Sequence, residues 1–173
     1  LPHVGDAVAA AAWRACVAGT GSVRVTRAPL DGYRGIVLTQ AWAGTYCTEL
    51  LGFMGADIIQ VEVRKRPDSW RGAYDAPVAE RLKELGATNP WNCNYLYNSV
   101  NLNKRCLTLD LQTAEGAGIL RRLLPLADFV VENFSPRVLG NLGFAYEQMD
   151  AIRPGIILCS LSAYGHTGPL VYF

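Results

Sequence analysis

Two short segments of this chain set polar residues directly after buried apolar runs. In one, Gly35 to Thr39 (GIVLT) leads into Gln40-Ala41-Trp42-Ala43-Gly44; in the other, Phe129 to Val131 ends in Glu132-Asn133-Phe134-Ser135-Pro136. Each reads as a strand that stops at a sharp turn into a helix, with Pro136 near the first helical position. Backbone N–H groups at a helix start point outward and favour an anion such as a phosphate. Open α/β sheets bind ligands at the carboxyl ends of their strands. Two such units with one layout suggest a coenzyme cleft.

A dinucleotide site would need Gly-x-Gly-x-x-Gly after the first strand, and only Gly44 is present. Glu62 does end the next apolar stretch, where a ribose-binding acid would stand. The competing reading of Gln40 to Gly44 is a plain turn with a buried Trp42. Two further segments carry polar groups. Asn101-Leu102-Asn103-Lys104-Arg105 offers adjacent cations that could meet a phosphate or carboxylate, although a solvated face is the commoner use. Tyr164-Gly165-His166-Thr167-Gly168-Pro169 is a glycine-bracketed loop suited to shaping a cleft. His166 could serve as a general base, but no Ser, Cys or Asp partner stands at a suitable spacing. We read it as a loop histidine without a chemical duty, and His3 as terminal.

Strands and helices must position these groups. Asp6 caps an expected helix over Ala7 to Val17, and Val23 to Thr26 is a weak strand. Pro29 to Arg34 is a turn around Asp31-Gly32. Strand Gly35 to Thr39, helix Ala43 to Met54 and strand Asp57 to Val63 form a βαβ unit. Arg64 to Pro90 has poor periodicity and is rich in charge, Pro, Gly and Trp; a stretch this long is usually functional or mobile. Strand Cys106 to Leu111 follows. Thr113 caps a helix over Ala114 to Leu124, with Glu115 in its first turn. Strand Ala127 to Glu132, helix Tyr146 to Ile152 and strand Gly155 to Leu161 complete the chain. This alternation predicts an α/β fold, a mainly parallel Rossmann-like sheet flanked by helices.

Composition narrows the partners. Of 173 residues half are hydrophobic and 18% are charged, with a net charge of +1. Nothing here points to nucleic acid or a membrane surface. The five cysteines include no C-x-x-C pair, so neither a disulfide framework nor a metal site is expected, and a cytoplasmic location fits. Cys47 and Cys159 read as small core residues.

Four motifs in this order resemble the family III coenzyme A transferases, the group that includes formyl-CoA transferase, carnitine CoA-transferase and α-methylacyl-CoA racemase. They are LTQAWAGTYCTELLGFMGADIIQVE (Leu38 to Glu62), NLNKRCLTLDLQTAEG (Asn101 to Gly116), ADFVVENFSPRVLGNLGF (Ala127 to Phe144) and RPGIILCSLSAYGHTGP (Arg153 to Pro169). The resemblance implies a Rossmann-like large domain, a smaller second domain and two subunits interlocked as a homodimer. It implies CoA or acyl-CoA as substrate together with carboxylates, and no metal. In transferases of this kind an aspartate attacks the acyl-CoA, giving a mixed anhydride and then an enzyme thioester. The racemase branch instead abstracts a proton α to the thioester carbonyl.

The resemblance also assigns residues. It places Gln40 beside the reacting thioester and Ala41, Trp42 and Ala43 on the turn that contacts CoA. Arg64 falls among the basic residues that meet the nucleotide. Leu109 and Gln112 match a stretch near the adenine, where several members have Lys in place of Gln112. Asn133, Phe134 and Ser135 match the turn along the pantetheine and diphosphate, where relatives often have Arg in place of Ser135; Arg137 is a nearby cation. The catalytic aspartate and the racemase His–Asp pair both match positions past Phe173. No catalytic residue is therefore expected within this chain, and we expect these residues alone to turn nothing over, as would a truncated CoA-binding module. Residues 1–30 precede the usual start and read as an extension or linker. Residues 31–173 read as the amino-terminal portion of the large, CoA-binding domain.

Overall fold

The computed structural model describes residues 27–72 and 76–171. The helix expected over Ala7 to Val17 with its cap Asp6, the strand Val23 to Thr26, His3 and Cys16 lie outside the described residues.

Five parallel strands form one sheet: β1 (Arg34–Leu38), β2 (Asp57–Glu62), β3 (Lys104–Thr108), β4 (Phe129–Glu132) and β5 (Ile157–Ser160). Their order across the sheet is β3-β2-β1-β4-β5, with every neighbouring pair parallel. The chain moves outward from β1 to β3 on one side, then returns to lay β4 against the other side of β1. The strand order therefore reverses between β1 and β4, the kind of place at whose carboxyl ends open α/β sheets bind ligands.

Side chains of β1 alternate between two layers. Ile36 and Leu38 join Leu120, Leu124, Val130, Phe144 and Met149 on one face. Val37 joins Ala56, Ile58 and Val131 on the other. The first layer is built by α4 (Ala114–Leu123) and α6 (Tyr146–Ile152), the second by α1 (Ala43–Phe53). Thr113 caps α4 as expected: its hydroxyl accepts the Gly116 N–H at 3.0 Å. Cys47 and Cys159, expected in the core, are half-buried.

Three features depart from the sequence expectation. Strand β3 lies two to three residues earlier than Cys106 to Leu111, because Lys104 pairs with Ile58 at its start and Asp110 ends it. The Asp110 carbonyl accepts Thr113 N–H at 3.1 Å and its side chain accepts Gln112 N–H at 3.1 Å. That local turn competes with the ladder and wins. Between β2 and β3 the chain is also not structureless. It holds short helical turns at Ser69–Arg71 and Pro90–Asn92, α2 (Ala76–Glu84) and α3 (Tyr95–Ser99). After β4 the chain forms a one-turn helix, α5 (Val138–Asn141), so Pro136 stands just ahead of the helix rather than inside it.

Helix α1 inverts the usual pattern. Its buried positions are Gly44, Thr45, Thr48, Glu49 and Gly52. The threonine hydroxyls bond back to helix carbonyls, Thr48 to Gly44 at 2.8 Å. Glu49 accepts the Leu102 N–H at 2.8 Å. Tyr46, Leu50, Phe53 and Met54 face outward, Phe53 with 58% of its surface exposed.

Candidate functional site

The tips of β1 and β4 are joined by one side chain. The Asn133 amide accepts the Gln40 N–H at 2.9 Å and donates to the Gln40 carbonyl at 2.7 Å. This pair mimics a further rung of the ladder after Leu38–Glu132. On the other side, the buried Gln60 of β2 donates to the Thr39 carbonyl at 2.6 Å. The backbone at 39–40 is thus held from both neighbouring strands by neutral amides. Sequence reasoning does not single out Gln60; its signal is a polar residue at an inward position of an otherwise apolar strand.

The turn beyond Gln40 is tight. Ala41 has φ of +59°, in the left-handed region, and its N–H is accepted by Asp68 at 2.8 Å. Trp42 begins α1 without a side-chain cap. Gly44 sits against the end of β1, where a Cβ would lie 2.6 Å from Thr39 Cγ2 and 3.3 Å from Asn133 Cγ. Glycine therefore lets the start of α1 close onto both tips. The first turn of α1 has no side-chain cap, and N–H groups at such a helix start favour an anion. Trp42 is not buried in this turn: 63% of it is exposed, and it meets Trp70 edge to face at 5.0 Å.

Gln40, Leu109, Gln112 and Phe134 come together around one cleft of about 150 Å³ at this end of the sheet. Leu38, Val61, Val63, Leu111, Val138 and Leu142 supply its apolar walls, and Arg66 supplies a cation. Leu109 is buried and its N–H bonds the Glu62 carbonyl at 2.9 Å. Gln112 is exposed at the rim. Phe134 is fixed by its own N–H, which the buried Glu132 accepts at 2.7 Å. Ser135 and Arg137 follow on the exposed side of the same turn. Ala43 is exposed on the first turn of α1.

Arg64 stands elsewhere. It lines a second cavity with Arg71, Trp91 and Cys106, its guanidinium 5.8 Å from the Trp91 ring centroid. Arg66, which the sequence did not single out, takes the place facing Gln40. Glu62, where a ribose-binding acid would stand, is bound to Arg71 at 2.6 Å. Arg71 in turn lies over the Tyr97 ring, 3.6 Å from its centroid. Burial pushes the Arg71 guanidinium down, but the Glu62 hydrogen bond together with the charges of Tyr97, Glu62 and Cys106 outweighs it and the cation is held. The Tyr97 hydroxyl is pushed up by burial and by its contact with Cys106. These groups brace β2, while Glu62 Oε2 is buried without a hydrogen-bond partner.

Neither cation of the Lys104-Arg105 pair reaches the cleft. Both start from the opposite, amino end of β3, and the Lys104 ammonium reaches the first turn of α1 from beneath. Lys104 Nζ donates to the carbonyls of Thr45 (2.7 Å) and Val100 (3.1 Å) and to Asn101 Oδ1 (2.9 Å), and burial pushes it down to about 8. Arg105 pairs with Asp57. His166 lines a separate cavity with Glu132, Tyr146 and Ser160. Among the described residues, no group of three or more His, Cys, Asp or Glu is arranged to hold a metal ion, and no helix is long and apolar enough to cross a membrane.

The family model described as CoA-transferase family III matches residues 30–171, which includes both strand tips and the whole cleft. The chain belongs to CoA-transferase family III. Similarity to individual family III members agrees. The chain is 36% identical over 145 residues to a succinate–glutarate CoA-transferase of Agrobacterium fabrum, covering 84% of this chain and 35% of that protein. It is 36% identical over 142 residues to human succinyl-CoA:glutarate CoA-transferase, covering 82% and 30%. It is 35% identical over 137 residues to a formyl-CoA:oxalate CoA-transferase of Afipia carboxidovorans, covering 79% and 29%. A solved CAIB/BAIF family protein from Brucella suis superposes with a TM-score of 0.69 at 32% identity, covering 84% of this chain and 36% of that one. The chain spans about a third of the length of the curated family III relatives it matches.

Proposed function

We propose that this chain is the CoA-binding portion of an enzyme that moves CoA between an acyl-CoA and a carboxylic acid. The observation that carries the reading is the Gln40–Asn133 clamp at the point where strand order reverses. It fixes the β1 tip, from which Gln40 lines one apolar cleft and α1 sets out. In this reading the amides and Arg66 or Arg64 meet phosphate oxygens, Leu109 and Phe134 contact apolar parts of CoA, and Gln40 lies beside the thioester. Ala41, Trp42, Ala43, Gln112, Asn133, Ser135 and Arg137 complete the binding turns. The attacking carboxylate comes from outside residues 1–173.

Transfer is favoured over epimerisation because the family III relatives named above carry transferase names. The outward apolar face of α1 supports an interlocked homodimer, since such a face is normally covered. We place the enzyme in the cytoplasm on the cysteine pattern.

Titration calorimetry of this chain with CoA tests the binding role. We expect saturable heat with CoA and less with pantetheine, which lacks the nucleotide phosphates. Equal heats for the two, or none with CoA, would refute it.

A further inference from the structure

The strap from Arg66 to Trp70 crosses the Gln40–Trp42 turn at three points. The Gln40 side-chain amide reaches the Arg66 carbonyl at 3.4 Å, Asp68 accepts the Ala41 N–H, and Trp70 meets Trp42. We propose that Asp68 is a positioning residue for the CoA-binding turn, acting through Ala41; this rests on the CoA reading above.

Asp68 is 1% exposed; no cation stands within 4.0 Å of it among the described residues, although its charge acts on the Lys104 ammonium. One takes the Ala41 N–H at 2.8 Å and the other takes the Trp70 N–H at 2.9 Å. A buried carboxylate is costly unless its hydrogen bonds are made, and here both bonds go to backbone. The Trp70 bond closes the strap on itself. The Ala41 bond fastens the strap to the turn, at a residue held in a conformation that non-glycine residues avoid. Without that acceptor, Ala41 can relax to negative φ. Gln40 and the first N–H groups of α1 would then turn away from the cleft. Its two hydrogen bonds to backbone, one of them across to the turn, point to a geometric duty.

The test compares CoA binding by the chain with that of Asp68→Ala, Asp68→Asn, Ala41→Gly and the double variant Ala41→Gly/Asp68→Ala, each confirmed folded by thermal melting. Asp68→Asn keeps the shape but retains one acceptor, so it serves if Asp68→Ala fails to fold. We expect Kd to rise about tenfold in Asp68→Ala and about threefold in Asp68→Asn. Glycine adopts positive φ without penalty, so in the Ala41→Gly background the loss at Asp68 should shrink below about threefold. A merely structural role would lower the melting temperature and leave Kd and this rescue unmoved. Binding by folded Asp68 variants equal to or tighter than the parent, or a loss undiminished in the Ala41→Gly background, overturns the inference alone. A parent that binds no CoA overturns the CoA reading, and the inference with it.

Discussion

The two ends of β1 are held by different side chains. At the amino end, charges answer charges: Asp57 lies between Arg34 and Arg105, with Arg34 Nε at 2.6 Å. There too, Asp128 takes the Arg34 N–H at 2.8 Å and sits 3.7 Å from Arg153. At the carboxyl end, Asn133 and Gln60 hold the β1 tip with neutral amides, and the first turn of α1 carries no side-chain cap. The amino end is closed electrostatically. The carboxyl end is stiff in its backbone yet keeps donors for an incoming anion. The amide clamp bridges the two strands without adding a further charge to the buried carboxylates of Glu132 and Asp68 nearby. That difference supports the proposed placement of CoA at the carboxyl end.

Removing the clamp should break the comparison most strongly. Asn133→Ala leaves the Gln40 N–H and C=O without their side-chain partner. We expect CoA affinity to fall at least tenfold and stability by about 1–3 kcal/mol, read by calorimetry and urea unfolding. Retained affinity would mean that the two tips do not act together.

A smaller effect is expected at the other end. Asp57→Asn should cost at most about 1 kcal/mol of stability at pH 7, because the triad is partly exposed, and should leave CoA affinity unchanged. Partial burial pushes the Asp57 carboxyl up, but the bonds from Arg34 and Arg105 outweigh it and hold it below its ordinary 3.8. A depressed carboxylate stabilises above its unfolded value and loses that contribution as pH falls through its lower folded value. The variant and parent should therefore differ at neutral pH and converge below about pH 4. A gap that persists in acid, or a loss of CoA binding, would blur the distinction between the two ends.

Much of the binding end is legible in the sequence. Gln40 and Asn133 follow short apolar runs, and such runs become central strands whose tips meet at the reversal of strand order. The residues that lock those tips are less visible. Asp68 lies in a Pro- and Trp-rich stretch where an aspartate ordinarily faces solvent, and only the fold buries it against Ala41. Trp42 reads as core and is exposed, because Gly44 and Thr45 take the inner positions of α1. The start of β3 shifts because Lys104 and Arg105 read as surface, whereas ladder pairing with Ile58 and Ile59 draws them into the strand. Arg66 and Arg64 have the same local sequence character, so only three-dimensional placement separates the cation at the cleft from the one over Trp91.

The most direct measurement is a map of backbone amide shifts while CoA is added to the isotopically labelled chain. The account predicts that the amides of Gln40, Ala43, Gly44, Asn133 and Phe134 move together with one saturation curve, while those of Arg34, Asp57 and Arg105 stay still. Shifts gathered at the Arg34–Asp57–Arg105 end, with Gln40 and Asn133 unmoved at saturation, would contradict it.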